Sequence, residues 1–202
     1  MNTIDILILY DAFMEGGEDI KSPEKVGWAS KFDQDIRFQT LLNIGVKEND
    51  TILDWGCGLG HLLDFMKNIN LSVNYTGIDI NEMSLIETRK CFPDNTFKQG
   101  DIDDETDKYD WILASGIFSF GITKEDLYEK IDKALTLANK GVGFNCLLPL
   151  EKFVEAGFST FHPNEIFIDL VEKYETLDND YRVSLITDYT EDDFTIYIKK
   201  GE

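Results

Sequence analysis

Three glycines at alternate positions follow an apolar run and one acidic residue in Ile52-Leu53-Asp54-Trp55-Gly56-Cys57-Gly58-Leu59-Gly60. A glycine-rich turn between a strand and a helix lets the backbone approach a ligand closely, and the first N–H groups of the helix are free to donate. The dinucleotide fingerprint, counted from Gly56, would need a glycine at the position that His61 occupies. The spacing therefore predicts a ligand loop of a different kind.

Asp54, at the mouth of this loop, adds a constraint of charge. A carboxylate there would repel a pyrophosphate by a few kcal/mol at partly buried distances, whereas it would attract an ammonium or a sulfonium. S-adenosylmethionine carries both of these cations. We therefore expect S-adenosylmethionine as the cofactor, and we do not expect a nicotinamide dinucleotide.

Composition excludes several classes of protein. The 202 residues are 43% hydrophobic, which is enough for one core, and 19 basic against 39 acidic residues give a net charge of −20. Nucleic-acid binding needs a basic surface, so a nucleic-acid partner is not expected. No apolar run is long enough to span a membrane, and the three cysteines form no metal or disulfide pattern. We expect an acidic, cytoplasmic protein without a metal.

The elements that must position the loop alternate between strand-like and helix-like segments. This alternation predicts a mostly parallel sheet with helices on both faces. A single domain is expected over 1–202, with an N-terminal arm and helix at 1–45, a possible lid, ahead of a core at 50–202. Strands are predicted at 51–55, 75–79, 96–99, 111–114 and 142–148, with a closing antiparallel hairpin formed by 181–187 and 194–198.

The order and spacing of these motifs resemble the class I S-adenosylmethionine-dependent methyltransferases, in particular a group of small bacterial and phage members. The resemblance implies a Rossmann-like fold of seven strands in the order 3-2-1-4-5-7-6, with the seventh antiparallel. It is carried by the glycine loop, by Asp79 and Asp101 after two later strands, and by Ala114-Ser115-Gly116 after the fourth. The cofactor contacts that we predict are Trp28, Arg37, Asp54, Gly56, Cys57, Gly58, Gly60, Asp79, Ile80, Asp101, Ile102, Ser115 and Gly116.

Several of these contacts have specific roles and open alternatives. Asp79 would accept both ribose hydroxyls, or else cap a helix beside Asn81. Asp101 would accept the adenine amino group while Ile102 packs on the ring, or else belong to a solvated acidic turn. Arg37 would pair with the cofactor carboxylate, or else lie on the surface of its helix. Trp28 would cover the pocket or anchor the arm.

The acceptor side is predicted from residues at or after the fourth and fifth strands, whose carboxyl ends face the crevice in open α/β sheets. These residues are Phe118, Phe120, Asn145 and His162. A general base is optional in methyl transfer, so no catalytic residue is assigned, and His61 is expected to pack beside the loop. The N/D-P-P-Y/F motif, which the resemblance would link to methylation of the amino groups of bases or of glutamine, is absent, and Ser115-Gly116-Ile117-Phe118 stands in its place, which argues against those two acceptors.

The predicted function is transfer of a methyl group to an oxygen or nitrogen atom of a small molecule by in-line displacement. The alternative is a protein of the same fold that binds the cofactor, or a partner that recognises its acidic surface, without catalysis. A nicotinamide-dependent oxidoreductase is disfavoured by Asp54 and by the position of Gly60.

Overall fold

The computed structural model describes residues 30–176 and 180–201. The predicted arm before residue 30, with Trp28, lies outside the described residues. The described α-helices are α1 (Lys31–Leu42), α2 (His61–Asn68), α3 (Glu82–Cys91), α4 (Lys124–Leu137), α5 (Glu151–Glu155) and α6 (Pro163–Leu170). The strands are β1 (Thr51–Trp55), β2 (Asn74–Asp79), β3 (Thr96–Gln99), β4 (Tyr109–Ala114), β5 (Ala138–Leu147), β6 (Tyr181–Ile186) and β7 (Asp193–Lys200).

The strands form one seven-stranded sheet in the order β3-β2-β1-β4-β5-β7-β6. Strand β7 runs antiparallel to both of its neighbours. Its Ile196 lies opposite Phe144 of β5 on one side and opposite Leu185 of β6 on the other. The other pairs are parallel. The predicted fold class, including the antiparallel seventh strand, is confirmed.

Alternate side chains of the strands feed two cores, one on each face of the sheet. In β1, Ile52 packs with the first three helices, and its neighbour Leu53 packs with α4 and α6 on the other face. Both side chains are fully buried. Because a central parallel strand is covered on both sides, its sequence is apolar at consecutive positions, as at Ile52-Leu53.

The helix ends follow the signals in the sequence. Thr123 and Asp126 form a capping box at the start of α4, and Pro163 is the first residue of α6. Helix α1 begins at Lys31, because the Ser30 side chain caps it by accepting from the Asp33 N–H. Among the described helices, none combines the length and apolar character that crossing a membrane requires.

The insertion of β7 between β5 and β6 makes its apolar face part of the core, and this placement predicts a large effect of truncation there. Phe194 is fully buried. Phe194→Ala is expected to lower the free energy of unfolding by about 3–5 kcal/mol, because it removes buried surface and leaves a cavity. Ile168→Ala, on an exposed side chain of α6, is the control and should change it by less than about 0.5 kcal/mol. Urea denaturation of both variants measures the difference, and equal effects would contradict this packing.

Candidate functional site

A cavity of about 630 Å³ lies at the carboxyl ends of β1 to β4. Its volume is in the range of small-molecule sites, roughly 300–1,000 Å³, and its position is the usual one for ligands of open α/β sheets. The structure brings together at its wall most of the predicted site residues: Arg37, Asp54, Gly56, Cys57, Gly58, Asp79, Ile80, Asp101, Ser115, Gly116, Phe118 and Phe120.

The three loop glycines have different structural roles. Gly56 has φ of +78°, and a Cβ atom there would lie 2.0 Å from the Ile117 side chain. Gly60 has φ of +75° and begins α2, where a Cβ would lie 2.9 Å from Thr88 of α3. Gly58 lines the cavity, but Gly60 does not. Gly60 therefore lies outside the cavity wall, where a cofactor contact was predicted for it, and it lets α2 and α3 approach each other closely.

The N–H groups of this loop are largely used within the protein. Those of Gly56 and Cys57 donate to the Ile78 carbonyl at 2.8 and 3.1 Å, and that of Gly60 donates to the Cys57 carbonyl at 2.8 Å. The Gly58 N–H donates to Asp79 Oδ2 at 2.7 Å. A phosphate site at a helix N-terminus needs such donors free. These four N–H groups are instead bound mainly by Ile78 and Asp79 of β2, and the carboxylates of Asp54 and Asp79 line the cavity beside the loop.

Asp54 is buried behind the loop. Its Oδ2 accepts the Tyr75 hydroxyl at 2.6 Å, and 3% of the residue is exposed. Burial raises the pKa of Asp54 to about 7, the Tyr75 hydrogen bond opposes this rise, and the nearby negative charge of Asp79 adds to it. A cation placed against this carboxylate would stabilise its ionised form.

Asp79 connects the loop to α3. Besides Gly58, its carboxylate accepts the Asn81 N–H at 2.8 Å through Oδ1. The side-chain cap of α3 is Asn81, which accepts from the Ser84 N–H, so Asp79 does not serve as that cap. Burial is the main cause that raises the pKa of Asp79. A carboxylate has about four lone-pair sites, so Asp79 keeps acceptor capacity at the cavity wall.

Asp101 is held by three different groups. Its Oδ1 accepts the Trp55 indole N–H at 2.8 Å and the Ile102 N–H at 2.7 Å, and its Oδ2 accepts Lys130 Nζ at 2.5 Å. Burial pushes the pKa of Asp101 upwards, but the hydrogen bonds from Lys130 and Ile102 outweigh it and hold this pKa below its usual value. Asp101 is therefore not part of a freely solvated turn. Ile102 is fully buried in the core and does not line the cavity, contrary to the predicted ring contact.

Arg37 is buried at the cavity wall rather than on the surface of α1. Its Nε donates to Asp193 Oδ2 at the start of β7, and one terminal nitrogen donates to the Asp33 carbonyl at 2.6 Å. One turn earlier, Gln34 Nε2 lies 2.9 Å from His61 Nδ1. His61 thus packs beside the loop and also lines the cavity.

The turn after β4 is supported from β5. Asn145 Oδ1 accepts the Gly116 N–H at 2.8 Å, and its Nδ2 donates to Ser115 Oγ at 3.2 Å. Asn145 is buried and does not line the cavity, so it positions the turn instead of meeting the acceptor. His162 is exposed at the start of α6 and also lies outside the cavity wall, which corrects its predicted place at the acceptor side.

Several wall residues were missing from the sequence-based set. Trp55 and Lys130 line the cavity and both donate to Asp101. Phe153 and Phe158 line it from the segment after β5. Lys130 is 29 positions away from its partner, so no local pattern connects them. The two phenylalanines follow the carboxyl end of a central strand, which is a usable signal.

The strand order and the position of the cavity define the class I S-adenosylmethionine-dependent methyltransferase fold. Magnesium protoporphyrin IX methyltransferase ChlM from Synechocystis PCC 6803 superposes with a TM-score of 0.66 at 15% identity, over 99% of this chain and 96% of that chain. The plantazolicin methyltransferase BpumL gives a TM-score of 0.62 at 17% identity, over 98% of both chains. These similarities show the fold.

The sequence comparisons agree with the fold. Residues 53–138 match the family model described as a methyltransferase domain. The Mycobacterium tuberculosis H37Rv protein Rv1506c, which carries a provisional methyltransferase name, is 26% identical over 163 residues, covering 75% of this chain and 93% of its own. The predicted resemblance to the class I methyltransferases is confirmed.

The buried Asp54 predicts a specific pH dependence of stability. Its pKa of about 7 in the folded protein lies above the ordinary value of 3.8, so between these limits the folded state binds a proton that the unfolded state does not. The contribution of Asp54 to the free energy of unfolding is therefore fully present below pH 3.8 and falls by about 1 kcal/mol per pH unit as the pH rises through about 7.

Asp54→Asn should remove this fall, so the variant gains stability relative to the wild type between about pH 5 and pH 7. Denaturant unfolding at a series of pH values measures the effect. Tyr75→Phe is the matched variant: it deletes a hydrogen bond that lowers the pKa of Asp54, and the fall should extend to higher pH. Parallel profiles for wild type and Asp54→Asn would contradict the prediction.

Proposed function

We propose that this protein is an S-adenosylmethionine-dependent methyltransferase that transfers a methyl group to an oxygen or nitrogen atom of a small molecule by in-line displacement. The observation that carries the proposal is the wall of the cavity around the glycine loop. Four N–H groups of the loop are used internally, and the buried carboxylates of Asp54 and Asp79 face the same cavity. This arrangement suits a cationic cofactor better than a pyrophosphate.

The residues present fit such a cofactor part by part. Asp54 and the Gly56–Gly58 segment would hold the methionine portion, Asp79 would accept the ribose hydroxyls, and Asp101 would accept the adenine amino group. Arg37 would face the cofactor carboxylate while Asp193 keeps the guanidinium in place. Ile80, Cys57, Ser115 and Gly116 complete this part of the wall.

S-adenosylmethionine supplies an activated methyl group, because its sulfonium leaves as a neutral thioether. The protein has to align the acceptor with that methyl group and to exclude water. Phe118 helps to fix the alignment, because its ring packs edge-on against Trp55 at 5.3 Å and against Phe144 at 5.6 Å. The Ile117 side chain, one residue earlier, packs on Gly56 and so sets the distance between the loop and the acceptor end.

Two structural neighbours that match this chain over nearly its whole length, ChlM and BpumL, are named for a porphyrin and for plantazolicin, which supports a small-molecule acceptor. The small RNA methyltransferase HEN1 shares the fold with a TM-score of 0.64, but this chain covers 25% of it. The strongly acidic composition adds to this support, since a net charge of −20 opposes contact with phosphate backbones. A cytoplasmic location is part of the same proposal, since all three cysteines are free thiols.

Calorimetric titration with S-adenosylmethionine, S-adenosylhomocysteine and NADH tests the proposal directly. We expect the first two to bind and NADH not to bind at the same protein concentration. Tight NADH binding without binding of either sulfur compound would refute the assignment. The non-catalytic alternative is separated by a second measurement, the consumption of S-adenosylmethionine in the presence of a panel of hydroxyl and amine acceptors.

Asp79→Asn is expected to weaken binding of S-adenosylhomocysteine roughly 10- to 150-fold, because a charged acceptor of a hydroxyl contributes about 1.5–3 kcal/mol. The amide oxygen can still accept the Gly58 N–H and keep the loop formed, although the bond from the Asn81 N–H is lost, so a thermal melt of the variant checks that it is folded. Asp94→Asn, at an exposed position after α3, is the control and should bind like the wild type. Unchanged affinity in a folded Asp79→Asn variant would show that Asp79 only supports the loop.

A further inference from the structure

The end of the cavity away from the glycine loop is aromatic. The ring centroids of Phe120 and Phe158 are 4.7 Å apart, and Phe153 packs against Phe158 at 5.7 Å. All three rings are half-buried and line the cavity. Such rings offer a large, rigid contact area to a flat apolar ligand.

The segment that carries two of these rings buries little else. Helix α5 has no buried residue, and from 151 to 158 the half-buried positions are Phe153 and Phe158. Ser159 ties this segment to the turn that carries Phe120: its N–H donates to the Ser119 carbonyl at 2.9 Å, and its Oγ accepts the Ile122 N–H at 3.0 Å. These two hydrogen bonds of Ser159 hold the segment with Phe153 and Phe158 against the turn with Phe120.

The charges around the same cavity are unbalanced. Among the described residues of the wall, the aspartates are Asp33, Asp54, Asp79, Asp101, Asp126 and Asp192, and the lysine and arginine residues are Lys130 and Arg37. Lys130 is bound by Asp101 and Asp103, and Arg37 by Asp193. Lys152, beside the aromatic end, is bound by Asp192 at 2.5 Å. A cleft lined by one sign of charge repels ligands of that sign.

We infer that the acceptor of this protein is a planar aromatic molecule without negative charge, whose ring packs on the surface that Phe120, Phe153 and Phe158 form at the cavity wall. The inference rests on the proposed function, because an acceptor exists only for a methyltransferase. It narrows the substrate class to neutral or cationic aromatic hydroxyl and amine compounds. It excludes acceptors that carry carboxylates or phosphates.

Three naphthalene probes of one ring size test the charge requirement. Binding of 2-naphthol, 2-naphthylmethylamine and 2-naphthoate is measured by calorimetry at neutral pH on the protein saturated with S-adenosylhomocysteine. The neutral and the cationic probe should bind at least about tenfold more tightly than the anion. Binding of 2-naphthoate that equals or exceeds that of 2-naphthol overturns the inference.

Two cavity variants and one control variant test where the probe ring binds. Phe158→Leu should weaken 2-naphthol binding by about fivefold or more, because it keeps apolar volume but removes the ring. Val154→Leu, on an exposed position of the same segment, should leave it unchanged. Asp192→Asn should strengthen 2-naphthoate binding about threefold or more, because it removes a carboxylate and releases Lys152. Unchanged affinities in both cavity variants would overturn the placement.

Cofactor affinity is the separate readout. These variants should bind S-adenosylhomocysteine as the wild type does, because their side chains lie at the other end of the cavity. A wild-type protein that binds neither S-adenosylhomocysteine nor S-adenosylmethionine overturns the proposed function and, with it, the acceptor assignment. A protein that binds the cofactor but ignores the ring or the charge of the probes overturns this inference alone.

Discussion

The carboxylate of Asp79 is the contact on which the rest of the site depends. It accepts the Gly58 N–H from the glycine loop and the Asn81 N–H at the start of α3, so one side chain at the end of β2 sets the path of two neighbouring connections. Both donors are backbone N–H groups, so a single side chain fixes the path of the main chain in two places. The loop, α3 and the carboxyl ends of β1 and β2 consequently form one continuous part of the cavity wall.

Burial of acidic groups is the energetic cost of this wall. Asp54 is almost fully enclosed and Asp79 lies beside it, so their negative charges disfavour each other in the absence of a cation. Such perturbed carboxylates in a cleft are typical of ligand sites, because a bound cation can relieve the repulsion that the fold maintains. Stability and ligand affinity at this position are therefore linked through the same two groups.

The two ends of the cavity differ in the groups that line them. Around the loop, the wall offers carboxylates and a backbone so close to Ile117 that Gly56 has no room for a side chain. The other end offers aromatic surface, and Lys152 beside it is held in an ion pair with Asp192. Ile117 and Phe118 join the two ends, since one packs on the loop and the other on Trp55 and Phe144.

The sequence by itself determined the strands, the glycine loop and the acidic strand ends, because these depend on local patterns: apolar runs, caps such as Thr123, and glycines where φ is positive. The order of the strands in the sheet followed from the resemblance to the class I methyltransferases and not from these patterns. The tertiary structure alone decided which of these residues meet the cavity. Gly60 packs against α3, and Ile102 is buried in the core. Asn145 supports a turn and His162 is exposed, although each of the four lies beside a motif in the sequence.

Lys130, Phe153 and Phe158 enter the wall from segments that carry no motif. The direction in which a side chain points is the physical reason why some motif residues miss the cavity and some residues without a motif line it. A motif places a residue at the end of a strand, but the packing of distant elements decides whether its side chain points into the cleft or into the core.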